Sequence, residues 1–174
     1  MKTISFQSDI LPLKNELFRM ALRITQNREE AEDVVQETMI KVWNRREQWS
    51  QLESIEAFCL TICRNLALDK LRRMDNQVQS LNDDIDPLDQ SHGSNPEQVA
   101  IQNDRTQMVR QLISELPERL RTCMQLRDIE GKSYRDIATV LDITEQQVKV
   151  NIFRARQTVR EKFLKIEKKN WDSL

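Results

Sequence analysis

Only two glycines and four prolines interrupt 174 residues rich in Leu, Ile, Glu, Gln and Arg. Those two residue types end helices more readily than any others, so a chain this poor in them is bound to long helical runs. The expected fold class is all-α, with almost no sheet. At this length the chain accommodates one ordinary domain or two small ones, and small ones bury little core of their own.

The apolar periodicity places the helices. Leu13, Leu17, Met20, Ala21 and Ile24 share one face of a first helix near 11–26. Asn27, with Glu30 three residues on, has the form of a capping box and opens a second helix reaching about Arg46. Its inner side carries Ala31, Val34, Val35, Val42 and Trp43. A third helix begins after Ser54 and continues to about Met74, with Phe58, Cys59, Ile62, Cys63 and Leu66 on its buried side. The next stretch, NQVQSLNDDIDPLDQSHGSN, collects Asp, Asn, Ser, Gly and Pro without a sustained stripe and reads as a flexible linker. Asn95-Pro96 then starts a helix toward Leu116, Pro117 restarts the chain as another reaching about Glu130, and Gly131 ends it.

Charge divides the chain in the same places. Residues 1–75 carry 12 basic and 12 acidic groups, residues 76–104 none and 6, and residues 105–174 carry 15 and 10. A basic module behind an acidic spacer suits a C-terminal half that meets nucleic acid. The expected division is therefore two small helical domains, 1–75 and 100–174, joined by an acidic linker over 76–99.

In GKSYRDIATVLDITEQQVKVNIFRAR, Ser133 with Asp136 caps a short helix and Thr144 with Gln147 caps a longer one, with a turn at Leu141-Asp142-Ile143. Ile137, Ala138, Leu141, Ile143, Val148 and Ile152 would fill the angle between them. That is the pattern of a helix-turn-helix. The second helix offers Glu145, Gln146, Gln147, Lys149, Asn151, Arg154 and Arg156 outward. Gln and Asn can pair with adenine, Arg and Lys with guanine, and cations neutralise phosphates.

Two segments carry a resemblance. EEAEDVVQETMIKVWNRR and the following AFCLTICRNLALDKLRR closely resemble region 2 of the extracytoplasmic-function (ECF) sigma factors of bacterial RNA polymerase, and Leu116 to Phe163 resembles their region 4. The resemblance implies that 1–75 bind core polymerase and the minus-10 element and that 100–174 read the minus-35 element. It implies partner-binding roles for Asp33, Gln36 and Glu37 against the clamp helices of the largest polymerase subunit, with Arg23 assisting, and a contact of region 4 with the polymerase flap. It assigns Trp49, Asn65, Asp69, Lys70, Arg72 and Arg73 to minus-10 DNA, although a tryptophan such as Trp49 is as often a core plug, and Gln146, Gln147, Lys149, Asn151, Phe153, Arg154 and Arg156 to minus-35 DNA. An anti-sigma factor is the implied regulator. Independently of the family, the acidic surface of Glu29, Glu30, Glu32, Asp33 and Glu37 repels DNA and suits a basic protein surface. Arg72 and Arg73 are explained equally well by a helix C-terminus, whose dipole favours cations. The chain departs from the family pattern at Asp142, where Gly is common, and at Val150 and Asn151, where relatives carry Ser and Arg.

No catalysis, cofactor or metal is expected. There is no Gly-rich phosphate loop, His92 is the single histidine, and Cys59, Cys63 and Cys123 read as buried free thiols. No stretch is long and apolar enough to span a bilayer, and the start has no signal-peptide pattern, so the expected location is cytoplasmic. The rival reading is a free-standing helix-turn-helix regulator, whose mark would be tight specific binding to duplex without polymerase.

Overall fold

A computed structural model describes residues 3–80 and 100–174, with side chains described for 3–77 and 104–174. Every regular element among the described residues is helical. A π turn at Phe6–Ile10 and a 3-10 turn at Leu11–Leu13 lead into α1 (Lys14–Thr25), followed by α2 (Arg28–Asn44), a 3-10 turn at Arg46–Gln51 and α3 (Ile55–Ser80). The second half contains α4 (Ala100–Ser114), α5 (Glu118–Met124) continued by a π turn at Gln125–Ile129, α6 (Tyr134–Leu141) and α7 (Glu145–Asp172).

The caps fall where the side chains allow them. Asn27 accepts from the Glu30 backbone N–H, and Ser133 accepts from that of Asp136. Thr144 and Gln147 form a reciprocal capping box. Helix α1 ends on Gln26 and α6 on Asp142, both left-handed at φ 53° and 54°; Asp tolerates that backbone through its short polar side chain. Gly131, at φ 68°, ends the α5 segment.

Helices α1, α2 and α3 pack pairwise around Leu17, Met20, Ala21, Ile24, Val34, Val42, Cys59, Leu60 and Cys63. Thr38 is enclosed with them and returns its hydroxyl to the Val34 carbonyl at 2.7 Å, so nothing polar is left bare there. Burial pushes the Cys59 and Cys63 thiols up to about 12, and Cys123 also upward. All three are free and buried, as expected. In the second half, α4, α5 and α7 enclose Leu112, Ile113, Leu116, Ala155 and Val159.

Four expectations are corrected. Helix α3 continues to Ser80, so the first five residues of the expected linker are helical; Gln and Val are compatible with a helix even without an apolar stripe. The remaining linker residues, 81–99, and the Asn95-Pro96 cap lie outside the described residues. Because α3 does not end at Met74, Arg72 and Arg73 are not in its last turn, and the helix-dipole explanation for them fails. Trp43 is not on the inner side of α2, and of the two readings of Trp49 the core position holds rather than the base-stacking one. Trp43 is exposed, whereas Trp49 is folded back by the 3-10 turn and its indole Nε1 donates to the Val42 carbonyl at 3.1 Å.

The two halves are closed on one another. Helix α6 packs on α3, and the core of the first half runs on into Cys123, Leu126, Ile137, Leu141, Val148 and Ile152. Around this apolar contact, six ion pairs cross the seam among the described residues. Arg64 grips Glu118 through two bonds of 2.8 Å, and Arg19 grips Glu130 through two of 2.7 Å. Lys132 lies between Glu16, at 3.0 Å, and Glu56, at 2.8 Å. Arg23 approaches Glu130 at 3.6 Å, and Arg135 reaches Glu53 at 2.6 Å.

Candidate nucleic-acid and polymerase interfaces

Helix α2 buries Ala31, Val34, Val35, Thr38 and Val42, which turns Asp33, Gln36 and Glu37 outward on adjacent turns. Ile40 continues the same stripe at 60% exposure, and Trp43 follows at 45%. Phe6 meets the Trp43 ring edge-on at 5.6 Å, and Phe6, Met39, Ile40 and Trp43 line a shallow apolar depression of about 420 Å³. An acidic stripe beside an apolar shelf is a protein-binding surface in character, since isolated exposed apolar groups need no explanation but contiguous ones do. Ile40 was missing from the sequence reading, and Trp43 was placed on the inner side of the helix instead. The register of α2 could have found Ile40, because it falls off the face defined by Val34, Val35 and Val42.

Residues expected at minus-10 DNA divide into two sets. Asn65, Asp69, Arg72 and Arg73 are exposed on one stretch of α3, with Arg72 3.7 Å from Asp69. Lys70 is half-buried and pairs with Glu30 at 3.1 Å and Asp33 at 3.9 Å, tying α3 to α2. Trp49 presents almost no surface, at 7% exposure, and serves the core.

Helices α6 and α7 form the helix-turn-helix. Val148, Ile152, Ala155 and Val159 face inward, so Gln146, Val150, Phe153, Arg154 and Gln157 lie on the outward side of α7. Gln147 is partly engaged, its carbonyl oxygen accepting from the Thr144 N–H at 3.0 Å. Lys149 sits 5.6 Å from the Tyr134 ring centroid, which also holds Arg127 at 4.3 Å. Two expected contacts are engaged within the protein: Asn151 is half-buried, with Nδ2 directed at the Cys123 sulfur, and Arg156, though exposed, makes a bidentate pair with Asp128.

The electrostatics of the seam follow from its geometry. Burial alone would raise the Glu118 carboxyl, but the hydrogen bonds and charge of Arg64 outweigh it and hold Glu118 below its ordinary value. Arg19, chiefly through its hydrogen bonds, lowers Glu130. Burial would lower the Lys132 ammonium, yet Glu56 and Glu16 keep it above its usual value. Glu16 itself is raised, because desolvation exceeds what Lys132 returns. No group of His, Cys, Asp and Glu fit to hold a metal occurs among the described residues, and no described helix is long and apolar enough to cross a membrane.

Comparison with known proteins agrees with this geometry. Residues 10–77 match the model of sigma-70 region 2, and residues 106–159 match that of sigma-70 region 4. The chain is 29% identical to the RNA polymerase sigma-H factor of Pseudomonas aeruginosa, over 89% of this chain and 84% of that one. It is 31% identical to the ECF RNA polymerase sigma-E factor of Escherichia coli K12, over 75% and 72% respectively. Among solved structures, the fold is similar to the sigma factor RpoE of Bartonella quintana in complex with the anti-sigma factor NepR, with a TM-score of 0.70, 24% identity and coverage of 92% and 97%. CnrH in complex with the cytosolic domain of CnrY gives a TM-score of 0.62 at 18% identity, covering 90% and 85%. With an acidic helix at one end, a helix-turn-helix at the other and both regions matched in order, the chain belongs to the ECF family of RNA polymerase sigma factors, non-catalytic initiation factors that direct the polymerase to promoters.

Proposed function

We propose that residues 1–75 dock on core polymerase through Asp33, Gln36 and Glu37, joined by Ile40 and Trp43, and that the exposed Asn65, Asp69, Arg72 and Arg73 of α3 meet the opened minus-10 element. Residues 100–174 read the minus-35 element with the outward face of α7, Gln146, Phe153 and Arg154 foremost, while 76–99 connect the two. The observation that carries this reading is the separation of two unlike surfaces on one chain, an acidic and apolar stripe on α2 and a polar, cationic face on α7. Lys149 lies against the Tyr134 ring and the Gln147 amide oxygen is taken by the helix cap, while Asn151 and Arg156 act as supports for α7.

The closed arrangement is then the resting form. Elements named minus-10 and minus-35 lie about 25 base pairs apart, roughly 85 Å at 3.4 Å per pair. A compact chain of this length has a radius of gyration of about 16 Å, so both elements are reached only after the seam has opened. The sigma factor RpoE is held in complex with the anti-sigma factor NepR; an anti-sigma factor that held the seam of this chain closed would oppose that opening. The protein acts in the cytoplasm, with the polymerase.

Run-off transcription with core polymerase on a promoter library tests the proposal. Specific starts that depend on this chain, and that are lost in a variant carrying Asp33→Lys and Glu37→Lys, are the expected result. Initiation unchanged by that variant would refute the assignment of α2. Tight duplex binding without polymerase, and no association with core, would refute the proposal as a whole.

A further inference from the structure

The outward face of α7 is polar and cationic except at its centre, where two apolar residues stand exposed. Val150 is 39% exposed and Phe153 is 66% exposed, although α7 has an inward face that could have received apolar residues. The two flank one another a single turn apart, with Gln146 and Arg154 beside them on the rim of a shallow depression of about 290 Å³ that Val150 also lines. Groups on an α-helix three residues apart differ by about 4.5 Å along the axis, close to the 3.4 Å between neighbouring base pairs. The only apolar group that the edges of the base pairs present in the major groove is the thymine C5-methyl. Arg154, exposed one residue from Phe153, supplies phosphate attraction that holds such a helix against the duplex.

We infer that Val150 and Phe153 are specificity-determining residues that read thymine methyl groups at neighbouring base pairs of the minus-35 element. The inference rests on α7 being the minus-35 reader. Gln146 contributes hydrogen bonds at the border of this apolar centre, and Arg154 a phosphate contact. Asn151, where a guanine- or adenine-reading side chain would otherwise stand, is turned inward toward Cys123 and leaves the centre of the face to the apolar pair.

The test uses holoenzyme formed from core polymerase and the full chain. A minus-35 element is selected from a library randomised at that element, and each of its thymines is then replaced by deoxyuridine, which removes only the methyl. Selection is expected to return thymine, on either strand, at two neighbouring positions, and each deoxyuridine there should weaken holoenzyme binding about fourfold. With Val150→Ser or Phe153→Ala the penalty at one of the two positions should disappear, whereas Arg154→Ala should weaken all sequences and leave the methyl penalty in place. Both apolar residues are exposed, and unchanged thermal unfolding of the variants verifies that they fold. A selected element that is insensitive to deoxyuridine, while Gln146→Ala still alters the selection, would overturn the inference and leave α7 as the reader. A loss of core binding in Val150→Ser and Phe153→Ala, without a change in base preference, would overturn it in favour of a protein contact. A library returning no minus-35 preference at all would remove the reading on which it rests.

Discussion

The interior of the first half and the seam between the halves are both buried, but they are built from different materials. Between α1, α2 and α3 the enclosed groups are Leu17, Val34, Val42, Leu60 and the thiols, with Thr38 satisfied by its own helix. Across the seam, α6 adds apolar contact to α3, but guanidinium, ammonium and carboxylate groups surround it. Apolar burial is indifferent to salt, whereas partly exposed ion pairs are screened over about 10 Å at 0.1 M salt. Desolvation also takes back much of what a buried ion pair gains, so such pairs specify geometry better than they add stability. The contrast teaches that the halves share one apolar core, while the part of their union that responds to salt and acid lies in the ion pairs around it.

The comparison breaks first, and by the largest amount, if the first half does not behave as a core. Leu17→Ala should cost about 3–4 kcal/mol in denaturant unfolding, and should do so equally at low and high salt. At the seam, Glu118→Gln leaves Arg64 enclosed without its anion and should favour the open form by about 3 kcal/mol. Unlike Leu17→Ala, it should leave unfolding of the first half nearly unchanged, as followed by hydrogen exchange in α1 and α3. Acid sharpens the same distinction. Because Glu118 and Glu130 are held below their ordinary value of 4.5 when the seam is closed, their contribution is present above that pH and is lost as the pH falls beneath it. Glu16, raised by burial, offsets part of the loss, since its protonated form is the one the seam prefers. Scattering or interdomain labelling should therefore report opening in acid before the helices melt. The smallest effect belongs to Arg135→Ala, whose pair with Glu53 is exposed on both sides; a change of a few tenths of a kcal/mol is expected.

What could be read in the sequence was local. Asn27, Ser133 and Thr144 with Gln147 declare the helix starts because a cap acts over three residues, and Asp142 takes the left-handed turn in place of Gly. The helix-turn-helix core, from Ile137 to Ile152, follows from the same short-range periodicity. The failures came where a partner lies far along the chain or where a stripe ends. Trp49 is enclosed because a turn carries it back to the Val42 carbonyl, and no periodicity reports a change of direction. The reach of α3 beyond Met74 went unread because polar residues do not declare a helix. Arg156 and Asn151 sit at positions that a helical wheel turns partly outward, but Asp128 and Cys123 draw them back. The seam itself was illegible: Glu118, Glu130 and Lys132 meet residues more than 50 positions away, and nothing in a charge pattern says which charges will meet.

The measurement that bears most directly on the account is the distance between the halves, free and at a promoter. Asn15→Cys and Lys165→Cys place labels on exposed positions in the two halves, and the three native thiols, buried and pushed to high pKa, should stay unlabelled in the folded protein. Energy transfer should be high in the free chain at low salt, fall as salt is raised or with Glu118→Gln, and fall furthest on core polymerase at a promoter, where the separation approaches the roughly 85 Å that 25 base pairs demand. Transfer that is the same in the free chain and in the promoter complex would contradict a seam that opens for function.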